Sequence, residues 1–339
     1  MILSFILAVN LPFHVFLISY AVLGPIHYLT EIGWLDDRNY FTTNKRDTWI
    51  LVGLCALMTL GFLYGKFETF EFTKTWKTSI DNSWFKPIWD IIVKYQLSFV
   101  FLAFFTAIMM TFVKAKKWRY GLMVIGFMAA YYLNDFRPYL MIMGVMLPTV
   151  IHVYIFTGAF ILFGALKTKS VSGYASLFVF LAILFLIVYQ RPKAADYQIS
   201  GYWLDSMIAS TFIDLGNAIA QFMNWVKPNR YIIKTPQGGI LSPVAIKMQI
   251  FIAFAYTYHY LNWFSKTKVI QWHKVSKPRL MSAVAIWVLS IALYVYDYKL
   301  GLAVLFFLSV LHVFLEFPLN QITFVGIFNE IKNRIIPPK

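Results

Sequence analysis

The chain has 339 residues, of which 60% are hydrophobic, 19% aromatic and only 13% charged, with a mean hydropathy of +0.65. In soluble domains about a quarter of the residues are charged. This composition therefore excludes an ordinary soluble domain and predicts an integral membrane protein. The formal charge of +15 could indicate nucleic-acid binding. However, Lys and Arg cluster between apolar runs, where they act as topology signals, so we expect no nucleic-acid partner.

Nine apolar runs approach the length of about 20 residues that crosses a hydrocarbon core. In chain order they lie near 3–25, 48–65, 95–113, 120–133, 139–166, 171–190, 244–264, 281–296 and 300–318. The run at 120–133 becomes long enough only by borrowing from the Lys-Lys-Trp-Arg stretch before it. We therefore predict an all-α polytopic bundle of about nine spans, forming a single membrane-embedded domain over 1–339.

The first run lacks a basic leader and an Ala-x-Ala cleavage site, which favours a retained helix over a signal peptide. A single cysteine, Cys55, excludes an internal disulfide framework and a thiolate metal cluster within one chain. The lack of a targeting segment and the scarcity of cysteine favour a bacterial inner (cytoplasmic) membrane.

Basic residues predict the orientation of the bundle, because short cytoplasmic loops carry an excess of Lys and Arg. Four basic clusters follow spans three, five, seven and nine: Lys114, Lys116, Lys117 and Arg119; Lys167 and Lys169; Lys266, Lys268, Lys274, Lys277 and Arg279; Lys332, Arg334 and Lys339. With nine spans, all four clusters face the cytoplasm. The N-terminus is then outside and the C-terminus inside.

Two long segments at 66–94 and 191–243 fall outside and are expected to contain amphipathic helices. The first is rich in tryptophan and phenylalanine, which suit membrane lipid at the headgroup level or a protein partner docking on the outer loops. Within the second, the stretch 207–226 is too polar for a lipid-facing span, so we predict an interfacial or re-entrant helix there. The polar side chains are Asp205, just before this stretch, and within it Asp214, Asn217, Gln221 and Asn224.

Histidines in or beside predicted spans are the main functional candidates, since ionisable groups inside a bilayer are costly. Five of the six lie there: His14, His27, His152, His259 and His312; only His273 lies in a loop. By the predicted topology, His27, His259 and His312 lie near the cytoplasmic ends of spans one, seven and nine. At 1.5 Å per residue the latter two lie roughly 7–9 Å from that interface, so all three can meet in one layer.

Acidic side chains accompany two of these histidines at a spacing that stacks both groups on one helix face. Glu31 follows His27 at i+4, and Glu316 follows His312 at i+4. A carboxylate one turn from an imidazole can orient the ring for a metal or act as an additional ligand. Beside His259, Asn262 at i+3 and Trp263 at i+4 occupy the equivalent positions.

His152 is a fourth candidate ligand, although it lies roughly 20 Å from the same interface. Pro148 precedes it by four residues, frees the carbonyl of Gly144, and is expected to bend the helix toward the other histidines. His14 cannot share a site with His27, because thirteen helical residues separate them by about 19 Å. We expect it to be a packing or proton-relay residue.

Imidazoles with flanking carboxylates suit iron, zinc or copper, and the residues alone leave the transition metal open. A haem held by His259 and His312 is disfavoured, because neighbouring carboxylates would repel its propionates. Two other classes of function also remain: a non-catalytic membrane subunit or scaffold of a larger complex, and a transporter that uses histidines as proton relays.

The segment Leu-Gly-Pro-Ile-His27-Tyr-Leu-Thr-Glu31 resembles the first motif of the Brp/Blh family of membrane β-carotene-cleaving dioxygenases. Ile151-His152, Phe-Ala-Tyr-Thr-Tyr-His259 and Leu-His312-Val-Phe-Leu-Glu316 are similar to its later motifs, in the same order. The resemblance covers about forty residues. It implies a multi-helix membrane protein in which four histidines hold a non-haem iron and O2 cleaves the central double bond of a carotenoid, giving retinal. We therefore predict a membrane metalloenzyme, an iron oxygenase that acts on a carotenoid or another long apolar lipid.

The chain departs from that family at two positions. Trp263 occupies the place of a second histidine four residues after His259, and Tyr28 replaces a glycine beside His27. A fourth ligand would therefore have to come from elsewhere, with His312 as the candidate.

Overall fold

A computed structural model of the chain describes residues 1–210, 212–226, 240–271 and 274–336. All regular elements within these ranges are helical, which confirms the all-α prediction. The helices, apart from isolated turns, are α1 (Ile2–Asn10), α2 (Pro12–Asp36), α3 (Thr48–Lys66), α4 (Glu71–Asp81), α5 (Lys86–Tyr95), α6 (Ser98–Phe112), α7 (Lys116–Leu133), α8 (Arg137–Thr168), α9 (Val171–Tyr189), α10 (Gly201–Ala209), α11 (Phe212–Val226), α12 (Pro243–Ser265), α13 (Lys277–Tyr296) and α14 (Tyr298–Ile335).

Six helices among the described residues are long and apolar enough to cross a membrane: α2, α3 with its flanking turns, α8, α9, α13 and α14. The pair α5 and α6, bent by 67°, becomes a seventh if it is one broken span. These helices indicate an integral membrane protein. The predicted count of nine is not confirmed, because α7 and α12, which cover the other two runs, are not among these helices.

The sequence predicts a single helix over the apolar run at 3–25. The structure instead divides this run between α1 and α2. Leu11 lies between them with φ −136° and ψ 56°. Proline disfavours helical backbone at the residue before it and cannot donate an N–H, so Pro12 accounts for the break. The chain then starts a new helix, in which Pro12 is well tolerated at the first position.

The polar stretch at 207–226 is also not one helix, since α10 ends at Ala209 and α11 begins at Phe212. One face of α11 buries Leu215, Ile219 and Ala220 and packs against α12. Its interfacial or re-entrant placement stays a prediction. The stretch 66–94 contains the amphipathic helices α4 and α5, and Trp76 in α4 and Trp84 between the two helices remain exposed.

The chain forms two compact units. Unit 1 comprises 1–30, 149–302 and 323–339, and unit 2 comprises 31–148 and 303–322. The single membrane-embedded domain over 1–339 stays a prediction.

Unit 1 is built around α12, which packs against α1, α2, α9 and α11. Fourteen of the 23 residues of α12 are buried. Helix α12 can accommodate hydroxyl, amide and imidazole groups, because it faces protein on most sides and these groups can form hydrogen bonds with neighbouring helices. One such bond joins the hydroxyls of Ser19 and Thr257 at 2.7 Å. Gln249, Thr257 and His259 are thus polar side chains of α12 that lie in the interior.

In unit 2, α3 packs against α5 and α6, and α6 packs against α7. The Ser98 hydroxyl donates to the Asn134 amide oxygen at 2.8 Å, and Arg119 pairs with Asp47. The part of α14 that belongs to this unit buries a polar row spaced at four residues, His312, Glu316 and Asn320. The two ionisable members of this row, His312 and Glu316, are candidate functional residues, because ionisable groups inside a membrane helix are costly.

Candidate metal centre

Two histidines from distant parts of the sequence meet inside unit 1. His27 on α2 is 1% exposed, and His259 on α12 is 7% exposed. Their Nε2 atoms lie 3.0 Å apart, with the ring planes inclined at 70°. The structure therefore brings this predicted pair together.

The separation of these nitrogens fits a shared metal ion. Metal–nitrogen bonds of about 2.0–2.1 Å place two ligands about 2.9–3.4 Å apart at octahedral or tetrahedral angles. The observed 3.0 Å lies within that range. It also suits a hydrogen bond, in which one imidazole donates and the other accepts. The pair can thus bind a metal or pass a proton.

The second ring nitrogen of His259 contacts a residue that the sequence did not reveal. Thr157 on α8 is 1% exposed, and its hydroxyl oxygen lies 2.8 Å from His259 Nδ1. The sequence instead predicts Asn262 as the residue that supports this ring. The hydroxyl of Ser265 donates to the backbone carbonyl of Asn262, whose side-chain role stays a prediction. A partner on another helix, 102 positions away, gives no signal in local spacing.

His152 also reaches His259, with ring centroids 4.8 Å apart, and is 1% exposed. The bend expected at Pro148 stays a prediction, and the backbone there has a feature that the sequence did not indicate. Helix α8 continues through the proline as a wide helix, with i→i+5 hydrogen bonding over Leu140–Phe156. Because proline cannot donate to the carbonyl four residues earlier, a wider turn accommodates it.

Within unit 1, His27, His259 and His152 form a buried group of imidazoles that could hold a metal ion, and His152 joins this group through its contact with His259. His312 is 5% exposed on the part of α14 that belongs to unit 2, and its role as a ligand stays a prediction. The carboxylic residues Glu31 and Glu316 are 3% and 1% exposed, so both are interior as predicted, and their roles as ligands or supports stay predictions.

Aromatic side chains from α12 surround the His27 ring within unit 1. The ring centroids of Tyr260, Trp263 and Phe264 lie 5.0, 5.7 and 6.4 Å from that of His27. The Trp263 indole N–H donates to the Thr30 hydroxyl at 3.0 Å. Trp263, at the position of a second histidine in the resembling family, therefore shields His27 with an apolar surface.

His14 is not part of this group. His14 is half-buried and packs edge-on against Trp203, with ring centroids 4.9 Å apart. This contact agrees with the expected packing role. His273 lies outside the described residues.

No protein-family model, curated protein or solved structure matches this chain.

Proposed function

We propose that this chain is a membrane metalloenzyme in which His27 and His259 hold a transition metal, with His152 as a further ligand or support. The observation that carries the proposal is the buried His27–His259 pair, whose facing nitrogens are 3.0 Å apart. Two neutral imidazoles aimed at one point are an arrangement that a divalent transition metal stabilises.

Iron is our favoured metal, and the reaction class is oxygenation. Imidazole ligands suit iron, zinc and copper alike, while the resemblance to the Brp/Blh motifs favours non-haem iron. An iron ion at this site would supply O2 activation. The chain's own residues hold the ion and exclude bulk water with Tyr260, Trp263 and Phe264.

A long apolar molecule is the substrate class that we infer. The rings around His27 offer apolar faces, and apolar substrates partition into the bilayer that surrounds the spanning helices. A carotenoid or an acyl lipid meets both conditions. The membrane that we propose is a bacterial inner membrane, in keeping with a chain whose single cysteine is buried.

The decisive experiment is elemental analysis of detergent-purified protein by mass spectrometry. We expect about one equivalent of iron per chain in the wild type, and a large loss in His27→Ala and His259→Ala, because each removes a ligand. His14→Ala is the matched control, since it deletes an imidazole of unit 1 that packs on Trp203. Full metal retention in both site variants would contradict the proposal.

A histidine relay is the second candidate function, favoured by the continuous contacts from His27 through His259 to Thr157. Such a row can carry a proton through alternating donors and acceptors. It predicts purified protein without metal, and proton flux in reconstituted vesicles that His259→Ala abolishes. Metal at one equivalent with no proton flux would eliminate it.

A further inference from the structure

We propose that Thr157 is a positioning residue for the metal site, rather than a structural threonine of α8. Its hydroxyl oxygen accepts a hydrogen bond from His259 Nδ1–H and so fixes the ring with an unprotonated Nε2. This inference rests on the proposed function, because it assigns a role at the same site.

The chemistry of neutral imidazole leads to this assignment. The ring carries one N–H, so protonation of Nδ1 leaves the lone pair on Nε2. His259 Nδ1 lies 2.8 Å from the Thr157 oxygen, while its Nε2 lies 3.0 Å from His27 Nε2. If the threonine hydroxyl donated to Nδ1 instead, the proton would sit on Nε2 and block metal binding. Only the tautomer that is protonated at Nδ1 leaves the Nε2 lone pair free to bind a metal.

Thr157 can act as an acceptor because a hydroxyl oxygen carries two lone pairs beside its one O–H. A hydrogen bond from the outer nitrogen of a ligating histidine fixes both the tautomer and the ring orientation. Thr157 is 1% exposed, so water does not compete strongly for this bond.

The wide turns of α8 explain how Thr157 reaches a ring that His152 already contacts. Five residues separate the two side chains. In an α-helix of 3.6 residues per turn they would point about 140° apart and could not face one neighbour. In an i→i+5 helix, with about 4.4 residues per turn, the angle falls to about 50°. The stretch Leu140–Phe156 has that pattern, and both residues contact His259.

The test compares Thr157→Val, which keeps the shape and removes the hydroxyl, with Thr157→Ser, which restores it. Thr257→Val is the control, because it deletes another buried hydroxyl bond of unit 1, the one to Ser19. Iron(II) dissociation constants are measured on purified protein. Solid-state ¹⁵N spectra of histidine-labelled, metal-free protein report the His259 tautomer, identified by signals missing in His259→Gln.

We expect Thr157→Val to raise the dissociation constant about 10- to 100-fold and to mix the His259 tautomers. Thr157→Ser and Thr257→Val should stay close to wild type in both measurements. An unchanged tautomer and affinity in Thr157→Val, or the same losses in Thr257→Val, would overturn the inference. If wild-type protein binds no metal, the proposed function fails, and the spectra of metal-free protein still decide whether Thr157 sets the tautomer.

Discussion

Among the apolar side chains of unit 1, we expect truncation of Phe254 to reduce stability the most. It is 0% exposed, and its ring neighbours are Phe5, Phe180 and Tyr258 at 5.9–6.4 Å. Inside a membrane the surroundings are apolar in either state, so the loss comes from the cavity and its missing contacts. We expect Phe254→Ala to lower the free energy of unfolding in detergent by about 2 kcal/mol.

Phe178 is the matched control, because it is 72% exposed on α9. Its replacement by alanine leaves no internal cavity, and the free energy of unfolding should change little. Equal losses in the two variants would mean that packing around Phe254 does not stabilise unit 1.

At the scale of single residues, the sequence predicts those contacts that depend only on how far along its own helix each residue lies. His27 and His259 could be predicted to meet, because distance along each span indicated a common depth. Thr157 could not be predicted, since its contact depends on how α8 turns relative to α12. Asn320, in the polar row of unit 2, was missed because it carries no charge, although it is only 1% exposed.

At the scale of elements, the wide turns of α8 set the directions of His152 and Thr157, and Pro148 is the residue that favours them. Pro148→Ala adds an N–H that can bond to the Gly144 carbonyl and so favours ordinary α-helical turns. His152 and Thr157 would then diverge. We expect equal or higher thermal stability of the metal-free protein but a weaker affinity for iron, measured by melting and by metal titration.

Pro243 provides the control for this substitution. It lies in the first turn of α12, where the backbone N–H has no helical partner in any case. Pro243→Ala should therefore leave both the melting temperature and the iron affinity near wild type. Unchanged iron affinity in Pro148→Ala would show that the wide turns do not position the ligands.

Local sequence signals located most helices but not their breaks. Apolar length indicated a span at 3–25, yet Pro12 divides it, because a missing N–H outweighs apolar periodicity. Length also indicated a span at 244–264, where α12 forms within one residue of those bounds. What length could not show is that α12 is buried by protein, since burial depends on the packing of other helices.

At the scale of the whole molecule, the number of spans decides which loops share a side of the membrane. Nine spans place all four basic clusters inside. If α7 and α12 do not cross and the bent pair is one span, seven spans result. The cluster Lys167 and Lys169 then faces outward, against the preference of basic loops for the cytoplasm. Helix α7 has 18 residues, about 27 Å, which nearly matches a hydrocarbon core of about 30 Å.

Cysteine labelling in a Cys55→Ser background distinguishes the two arrangements, because the chain has no other cysteine. Ala115 and Ala195 are both exposed and can each be replaced by cysteine. With nine spans they lie on opposite sides, so a membrane-impermeant maleimide should label Ala195→Cys in intact cells and Ala115→Cys only after the membrane is broken. With seven spans both lie inside, and neither would react in intact cells. Protection of Ala195→Cys would therefore overturn the nine-span topology while leaving the predicted orientation of Ala115 intact.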